Sequence, residues 1–229
     1  MPESTFTITT PDGPMECFRA APPGTPLGSV VVLQEAFGVN SYIRRVCTSL
    51  AGAGFVALAP ALYHRVGGGT AAYDDYATVG PLMDSLTDDA VLTDLSATFD
   101  TLRVPREQAG IIGFCVGGRM AFLAAASWRL GAAVSFYGGG IVTPRGKLPA
   151  IVDRAPALST PWLGLFGDVD HAIPVEDVET LRDALPPGNT IARFPEAGHG
   201  FHCDERASYH PRHAEEAWIL ALAWLRNHL

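Results

Sequence analysis

Short apolar runs alternate with longer amphipathic stretches through most of the chain. The short runs are rich in Val, Ile, Leu, Phe and Ala, which predicts strands buried on both faces, at residues 30–33, 55–59, 110–114, 132–136, 162–166 and 190–194. Apolar residues at helical spacing predict helices at residues 41–53, 87–103, 116–128, 175–185 and 213–227. Before these elements, alternation at Phe6 and Ile8, a turn at 11–13 and a returning strand at 15–19 predict a hairpin.

This alternation of strands and helices predicts an α/β fold with a mostly parallel central sheet and helices on both faces. The length of 229 residues fits one such domain, over residues 1–229. Residues 60–86, with three consecutive glycines at 67–69, match neither pattern. A loop of this length in a compact domain is usually functional. We therefore expect a lid over a pocket, with a short helix or an inert insertion as the alternatives.

Composition and charge narrow the possible partners. The chain is 48% hydrophobic and 17% charged, with a formal net charge of −8. Nucleic acids and anionic membranes attract basic surfaces, so neither is an expected partner. The first ten residues lack the features of a secretory signal, and the four cysteines are scattered without a CxxC pair. We therefore expect a cytoplasmic protein with reduced thiols, no metal site and no cofactor.

The strongest chemical signal is a nucleophile between glycines, at a point where a predicted strand runs into a predicted helix. A G-x-nucleophile-x-G elbow in this context places the nucleophile on a strained turn at a helix N-terminus. The helix end favours a thiolate and offers a backbone N–H to a developing oxyanion. The alternative is a buried core cysteine between packing glycines. The elbow consists of Gly113, Phe114, Cys115, Val116, Gly117 and Gly118.

Two later loops supply the partners that such a nucleophile needs. Asp168 and Asp170 follow the predicted strand at 162–166, where an acid can orient a catalytic histidine; an aspartate here could instead cap the next helix. His199 stands between two glycines after the last predicted strand. A lone histidine of this kind is more often structural, but the order nucleophile, acid, histidine is that of α/β-hydrolases. The other histidines are interpreted as surface or packing residues.

Taken together, the motifs resemble the dienelactone hydrolase family, the carboxymethylenebutenolidases of the α/β-hydrolase superfamily. A cysteine in the elbow combined with Gln-Glu-x-x-Gly-Val-Asn is specific for this family. The resemblance extends over most of the chain, through residues 34–40, Pro60-Ala61-Leu62-Tyr63, the elbow at 113–118, Gly-x-x-Asp-x-x-Ile-Pro at 167–174 and Ala-Gly-His-Gly-Phe at 197–201.

The resemblance implies a role for each matching residue. Cys115 would be the nucleophile, His199 its base and Asp170 the acid, and Glu35 would contact the resting thiol and accept its proton. The backbone N–H groups of Ala36 and Val116 would form the oxyanion hole. From the residues alone, a buried salt bridge is the alternative for Glu35, because a carboxylate in an apolar run is rarely buried unpaired.

The sequence departs from the family at the arginines that hold the substrate carboxylate. Cys203 stands four positions after His199, where the family has one arginine, and residues 67–101 contain none. Arg65 or Arg206 could substitute, and Tyr137 is a further candidate for substrate contact. The expected substrate is thus a small ester or lactone, with weak hydrolysis of dienelactone itself.

The expected function is a carboxylic-ester hydrolase that works through an acyl-thioester. A thioesterase or general esterase on the same scaffold and a catalytically silent binding module are the alternatives. The sequence leaves the oligomeric state open, with a monomer among the options.

Overall fold

The computed structural model describes residues 2–229 and contains one eight-stranded sheet. Its spatial order is β1-β2-β4-β3-β5-β6-β7-β8. The strands are β1 (Glu3–Thr10), β2 (Gly13–Ala20), β3 (Gly28–Leu33), β4 (Phe55–Pro60), β5 (Ala109–Phe114), β6 (Ala132–Phe136), β7 (Trp162–Gly167) and β8 (Thr190–Phe194).

Only the first two strands break the parallel arrangement. β1 and β2 form the predicted hairpin, and β2 pairs antiparallel with β4. From β4 to β8, every neighbouring pair is parallel. All residues of β5, β6 and β7 are buried, as expected for strands that are covered on both faces. The predicted α/β fold with a mostly parallel sheet is confirmed.

Six α-helices connect and cover these strands: α1 (Ser41–Gly52), α2 (Tyr76–Asp84), α3 (Asp88–Thr101), α4 (Val116–Ser127), α5 (Val175–Ala184) and α6 (Pro211–His228). The helix boundaries follow local capping chemistry. The Asn40 side chain accepts the Ile43 N–H at the start of α1, and Thr87 accepts the Ala90 N–H at the start of α3. The predicted helices are therefore present, with ends that differ by one or two residues.

The segment at 60–86 is more ordered than its sequence suggested. It contains a short 3₁₀ helix (His64–Val66) and the helix α2. Val79 of α2 forms a buried cluster with Phe37, in the loop after β3, and Met83 and Ala36 pack against this cluster. The segment therefore contacts the loop that contains Ala36, a predicted oxyanion donor. Its role as a lid stays a prediction.

Among residues 2–229, no helix combines the length and the apolar character that a membrane crossing requires.

Candidate active site

The candidate residues follow the carboxyl ends of separate parallel strands. Glu35 comes after β3, Cys115 directly after β5, Asp170 after β7 and His199 after β8. Because these strands run parallel, their carboxyl ends meet at one edge of the sheet, which is where open α/β sheets form their binding crevices. The topology therefore brings together residues that are far apart in sequence.

Cys115 lies on a strained turn between β5 and α4. Its φ of 55° is in the left-handed region, which a residue with a side chain seldom adopts. The flanking glycines are required sterically: a Cβ on Gly113 would overlap the Gly117 carbonyl, and one on Gly118 would lie 2.7 Å from the Phe136 carbonyl oxygen. The strand and helix can therefore approach only because these positions lack side chains. The predicted elbow geometry is present.

A chain of hydrogen bonds joins three of the predicted residues. His199 Nε2 lies 3.1 Å from Cys115 Sγ, and His199 Nδ1 lies 2.8 Å from Asp170 Oδ2. The Asp170 side chain is 1% exposed and that of His199 is 18% exposed, so both contacts are largely shielded from water. This arrangement can transfer a proton between the thiol and the imidazole and orient the ring from its far side.

The two candidate aspartates have different surroundings. Asp170 Oδ1 accepts the backbone N–H groups of Ala172 and Ile173, while its second oxygen faces His199. Asp168 pairs with Arg193 at 2.7 Å and is partly exposed. The alternative role of helix capping is wrong for both aspartates, since the N-cap of α5 is Pro174 and no side chain caps that helix.

The electrostatics of the site favour an ionised pair. Burial by itself raises the pKa of the Cys115 thiol, but the charge and hydrogen bond of His199 outweigh it, so the pKa is lowered. Burial acts to lower the pKa of His199, whereas the charge of Cys115 and the hydrogen bond to Asp170 raise it to about 10. Cys115 also stands at the N-terminus of α4, where the helix dipole stabilises a thiolate.

Glu35 is completely buried and is held by two partners. Arg206 donates to Oε1 at 3.0 Å and the Tyr73 hydroxyl donates to Oε2 at 3.1 Å. Burial raises the pKa of the Glu35 carboxyl, although Arg206 and Tyr73 act in the opposite direction. The expected contact with the resting thiol is wrong for this structure, because Cys115 bonds to His199 and the Glu35 oxygens bond elsewhere. The salt-bridge interpretation of Glu35 accounts for its contacts.

The two candidate arginines differ in their partners and in their place in the fold. Arg206 lies at the site, paired with Glu35 and 17% exposed. Arg65 binds Asp94 through two nitrogens and Asp12 through two, so its guanidinium is already occupied by two carboxylates. These pairings argue against substrate contact by Arg65, which stays a prediction.

Tyr137 is fully buried behind His199, with a ring centroid 5.3 Å from that of the imidazole. Its hydroxyl lies 3.4 Å from that of Tyr42. A side chain with no exposed surface packs against the His199 ring and argues against direct substrate contact. Substrate contact by Tyr137 stays a prediction.

The two predicted oxyanion donors lie in different segments: Ala36 is in the loop after β3, and Val116 is the first residue of α4. Within residues 2–229, the N–H groups of Ala36 and Val116 donate to no backbone carbonyl. A Cβ on Gly117 would lie 2.6 Å from the Leu33 carbonyl oxygen, which shows how closely the end of β3 approaches the start of α4. This approach brings the loop that carries Ala36 next to Cys115.

Comparison with known proteins places the chain among the enzymes that its motifs resemble. The model of the dienelactone hydrolase family matches residues 15–229. The chain belongs to the dienelactone hydrolase family. A Yersinia pestis protein named "Putative carboxymethylenebutenolidase" is 40% identical over 220 residues, which cover 89% of this chain and 79% of that protein. The carboxymethylenebutenolidase of Pseudomonas putida is 31% identical, covering 79% of this chain and 78% of the relative.

A solved structure agrees with this assignment. The Klebsiella pneumoniae crystal structure described as a "Putative Dienelactone Hydrolase" superposes with a TM-score of 0.86 at 37% identity and covers 98% of each chain. As a member of the dienelactone hydrolase family, the chain is a hydrolase that acts on ester bonds.

In this dienelactone hydrolase family member, Tyr73 is a site residue that sequence reasoning missed. Its hydroxyl receives hydrogen bonds from Asn40 at 3.0 Å and from Cys203 at 3.1 Å, and donates to Glu35. Cys203, the residue found in place of an arginine, thus supports the tyrosine that holds Glu35. Tyr73 lies in a segment without periodicity, and only its place in the candidate lid could have drawn attention to it.

Proposed function

We propose that the protein hydrolyses carboxylic esters or lactones through an acyl-thioester on Cys115, with His199 as acid and base and Asp170 as the residue that orients it. The observation that carries this proposal is the 3.1 Å contact between Cys115 Sγ and His199 Nε2, with Asp170 on the opposite ring nitrogen. The lowered pKa of Cys115 and the raised pKa of His199 support a thiolate–imidazolium pair as the resting nucleophile.

In the first step, the thiolate attacks the ester carbonyl and a carbon–sulfur bond forms. The negative charge moves to the carbonyl oxygen, towards which the N–H groups of Ala36 and Val116 are proposed to donate. When the intermediate collapses, the ester carbon–oxygen bond breaks and the imidazolium gives its proton to the leaving oxygen. The products of this step are the acyl-thioester and the free alcohol or enol.

In the second step, neutral His199 removes a proton from water as the water oxygen attacks the thioester carbonyl. Collapse of this intermediate breaks the carbon–sulfur bond, releases the acid and restores the thiolate beside a protonated imidazole. Asp170 stabilises that imidazolium in both steps and fixes which ring nitrogen carries the proton.

We further propose that Arg206 is the residue that recognises a substrate carboxylate. The described contacts give it a single hydrogen bond to protein, the one from Nη1 to Glu35, so most of its donors can serve a ligand. Glu35 then controls thiol reactivity through charge, because its negative charge raises the pKa of Cys115 while Arg206 lowers it.

The test is turnover of a short p-nitrophenyl ester by the wild-type chain and by two cysteine variants. Cys115→Ala should lose at least about 10³-fold in kcat, because the nucleophile is gone. Cys17→Ala, which removes a buried thiol from β2, is the matched control and should retain activity if it folds. Mass spectrometry should detect an acyl adduct on Cys115 in the quenched wild-type reaction. Full activity in Cys115→Ala would contradict the proposal.

The carboxylate proposal has its own comparison. Arg206→Ala should lower kcat/KM for a carboxylate-bearing lactone by about 10- to 150-fold relative to an uncharged ester, from a bond worth about 1.5–3 kcal/mol. Arg65→Ala is the control, since Arg65 is occupied by Asp12 and Asp94. Equal losses for both substrates in Arg206→Ala would mean that Arg206 acts on the reaction and not on carboxylate recognition.

A further inference from the structure

Three side chains of the types that bind metal ions lie close together at the ends of the loop that carries His199. Glu196, His210 and His213 each offer one ligand atom, and these atoms all lie within 4.8 Å of one another. Glu196 lies between β8 and His199, and the two histidines lie at the start of α6. None of the three takes part in the proposed ester hydrolysis.

The His213 ring is oriented by a carboxylate, as is typical of metal-binding histidines. Its Nδ1 lies 2.9 Å from Glu216 Oε2, and Arg212 donates to the other carboxylate oxygen at 3.0 Å. A carboxylate on one ring nitrogen fixes the tautomer and leaves the lone pair of the other nitrogen available for a metal, as in carboxylate–histidine–zinc arrangements. The residue is also buried, which limits its rotamers.

The other two ligand candidates are positioned by the backbone. His210 is the N-cap of α6 and stacks on His213 with ring centroids 4.2 Å apart, and the hydrogen bond that it accepts from the His213 N–H is long, at 3.4 Å. Glu196 has a φ of 65°, in the left-handed region that few residues other than glycine adopt. A strained residue of this kind is a reason to look for a function at that position.

We propose that Glu196, His210 and His213 bind one divalent transition-metal ion of the zinc type. Two imidazole nitrogens and one carboxylate oxygen are the ligands of many Zn²⁺ sites, whereas Ca²⁺ and Mg²⁺ prefer oxygen ligands alone. In a tetrahedral site with bonds of about 2.0–2.1 Å, neighbouring ligand atoms lie about 3.3 Å apart, so atoms that now lie within 4.8 Å of one another need to approach by up to about 1.5 Å. The exposed side of Glu196 leaves room for water as the fourth ligand.

Such an ion would connect the two ends of the loop that carries His199. Within this loop, the Ser208 hydroxyl donates to the His199 carbonyl at 2.6 Å, and the His210 N–H donates to the Phe201 carbonyl at 2.9 Å. A metal bridge from Glu196 to α6 would add a further connection to these two. The expected consequence is a loop that opens less readily and a protein that melts at a higher temperature.

The experiment measures Zn²⁺ binding by calorimetry on tag-free protein that has been treated with chelator. Cys115→Ala is the working background, because the thiol and imidazole of the candidate active site could bind Zn²⁺ themselves. In that background we expect one equivalent of Zn²⁺ to bind and the melting temperature to rise. Co²⁺ should give the visible absorption bands of tetrahedral coordination without a thiolate band.

Further variants identify the ligands. Glu196→Gln and His213→Gln should each weaken Zn²⁺ binding at least tenfold, and Glu216→Ala should weaken it about 10- to 100-fold through loss of ring orientation. Glu215→Gln is the matched control, since Glu215 is an exposed neighbour on α6 outside the cluster. Absence of stoichiometric binding in the Cys115→Ala background would overturn the proposal. Equal affinity in Glu196→Gln, His213→Gln and Glu215→Gln would do the same.

Discussion

The replacement Asp170→Asn tests the orientation of His199 most directly. Asp170 Oδ1 accepts two backbone N–H groups, from Ala172 and Ile173, and an amide nitrogen cannot take that place. The asparagine must therefore keep its oxygen there and direct its NH₂ group at His199 Nδ1. That nitrogen then has to accept a hydrogen bond, so the ring carries its proton on Nε2, facing Cys115. In this tautomer His199 can neither accept the thiol proton nor remove one from water.

The expected loss of kcat follows from this change of the His199 tautomer. A wrong tautomer at the same geometry costs on the order of 10²–10⁴ in kcat, which corresponds to about 2.7–5.5 kcal/mol in the activation barrier. The fold should survive, because both backbone hydrogen bonds are retained. Replacement of the charge-assisted bond between Asp170 and His199 by a neutral one should lower the free energy of unfolding by about 1–1.5 kcal/mol.

Asp168→Asn is the matched control on the same loop. Asp168 and Arg193 are both about one-third exposed, and Arg193 keeps a second partner in Glu179. A partly exposed pair of this kind contributes about 0–1 kcal/mol, so this variant should keep nearly normal stability and kcat.

The assay compares kcat for a p-nitrophenyl ester, the rate of iodoacetamide modification at neutral pH, and thermal unfolding for both variants. Asp170→Asn should slow both reactions of Cys115, since the imidazolium that stabilises the thiolate is no longer favoured. A larger kcat loss in folded Asp168→Asn than in Asp170→Asn would refute the assignment. Modification at the wild-type rate in Asp170→Asn would refute the tautomer argument.

Three further predictions concern the thiol, the buried carboxylate and the elbow. The alkylation rate of Cys115 should rise with pH to a plateau, with a midpoint below about 8.5, the pKa of an ordinary thiol, because the pKa of Cys115 is lowered. A midpoint above that value would contradict the ion pair with His199. Glu35→Gln should stay folded and lose kcat. It should also shift the alkylation profile of Cys115 to lower pH, since the negative charge that opposes the thiolate is gone. Normal kinetics with a lower melting temperature would instead indicate that Glu35 serves only to hold Arg206. Gly117→Ala should lower the free energy of unfolding by about 1–3 kcal/mol or more, because its Cβ would meet backbone carbonyls at the end of β3. Gly80→Ala, in helix α2, is the control: its Cβ meets no atom within 4 Å, so this variant should be neutral or stabilising. Calorimetric melting of both variants tests this difference, and equal melting temperatures would contradict it.

The parts of the molecule that depend on local chemistry were predictable from the sequence. Buried parallel strands such as β5 and β7 are continuous apolar runs, and a helix start such as that of α3 is marked by its capping residue, Thr87. The elbow at Cys115 was predictable from its local motif, and Gly113 is required by the Gly117 backbone four residues away, although Gly117 is itself required by the distant end of β3.

Contacts between distant segments were not predictable in this way. Arg65 and Arg206 looked equivalent in the sequence, because nothing local shows that Arg65 meets Asp94 or that Arg206 meets Glu35. The position of Tyr73 against Glu35 likewise depends on how residues 60–86 fold over the loop after β3. These pairings are decided by packing across the whole sheet edge.

The assembly of the site from separate strand ends has a consequence for folding kinetics. Asp170 and His199 are 29 residues apart, Cys115 and His199 are 84 apart, and Glu35 and Arg206 are 171 apart. Contacts this distant in sequence form late, because the entropy of closing long loops has to be offset by a largely complete sheet. During refolding from denaturant, helical circular dichroism should therefore recover before esterase activity and before rapid alkylation of Cys115. The thiol that carries the chemistry would then also report the completion of the fold.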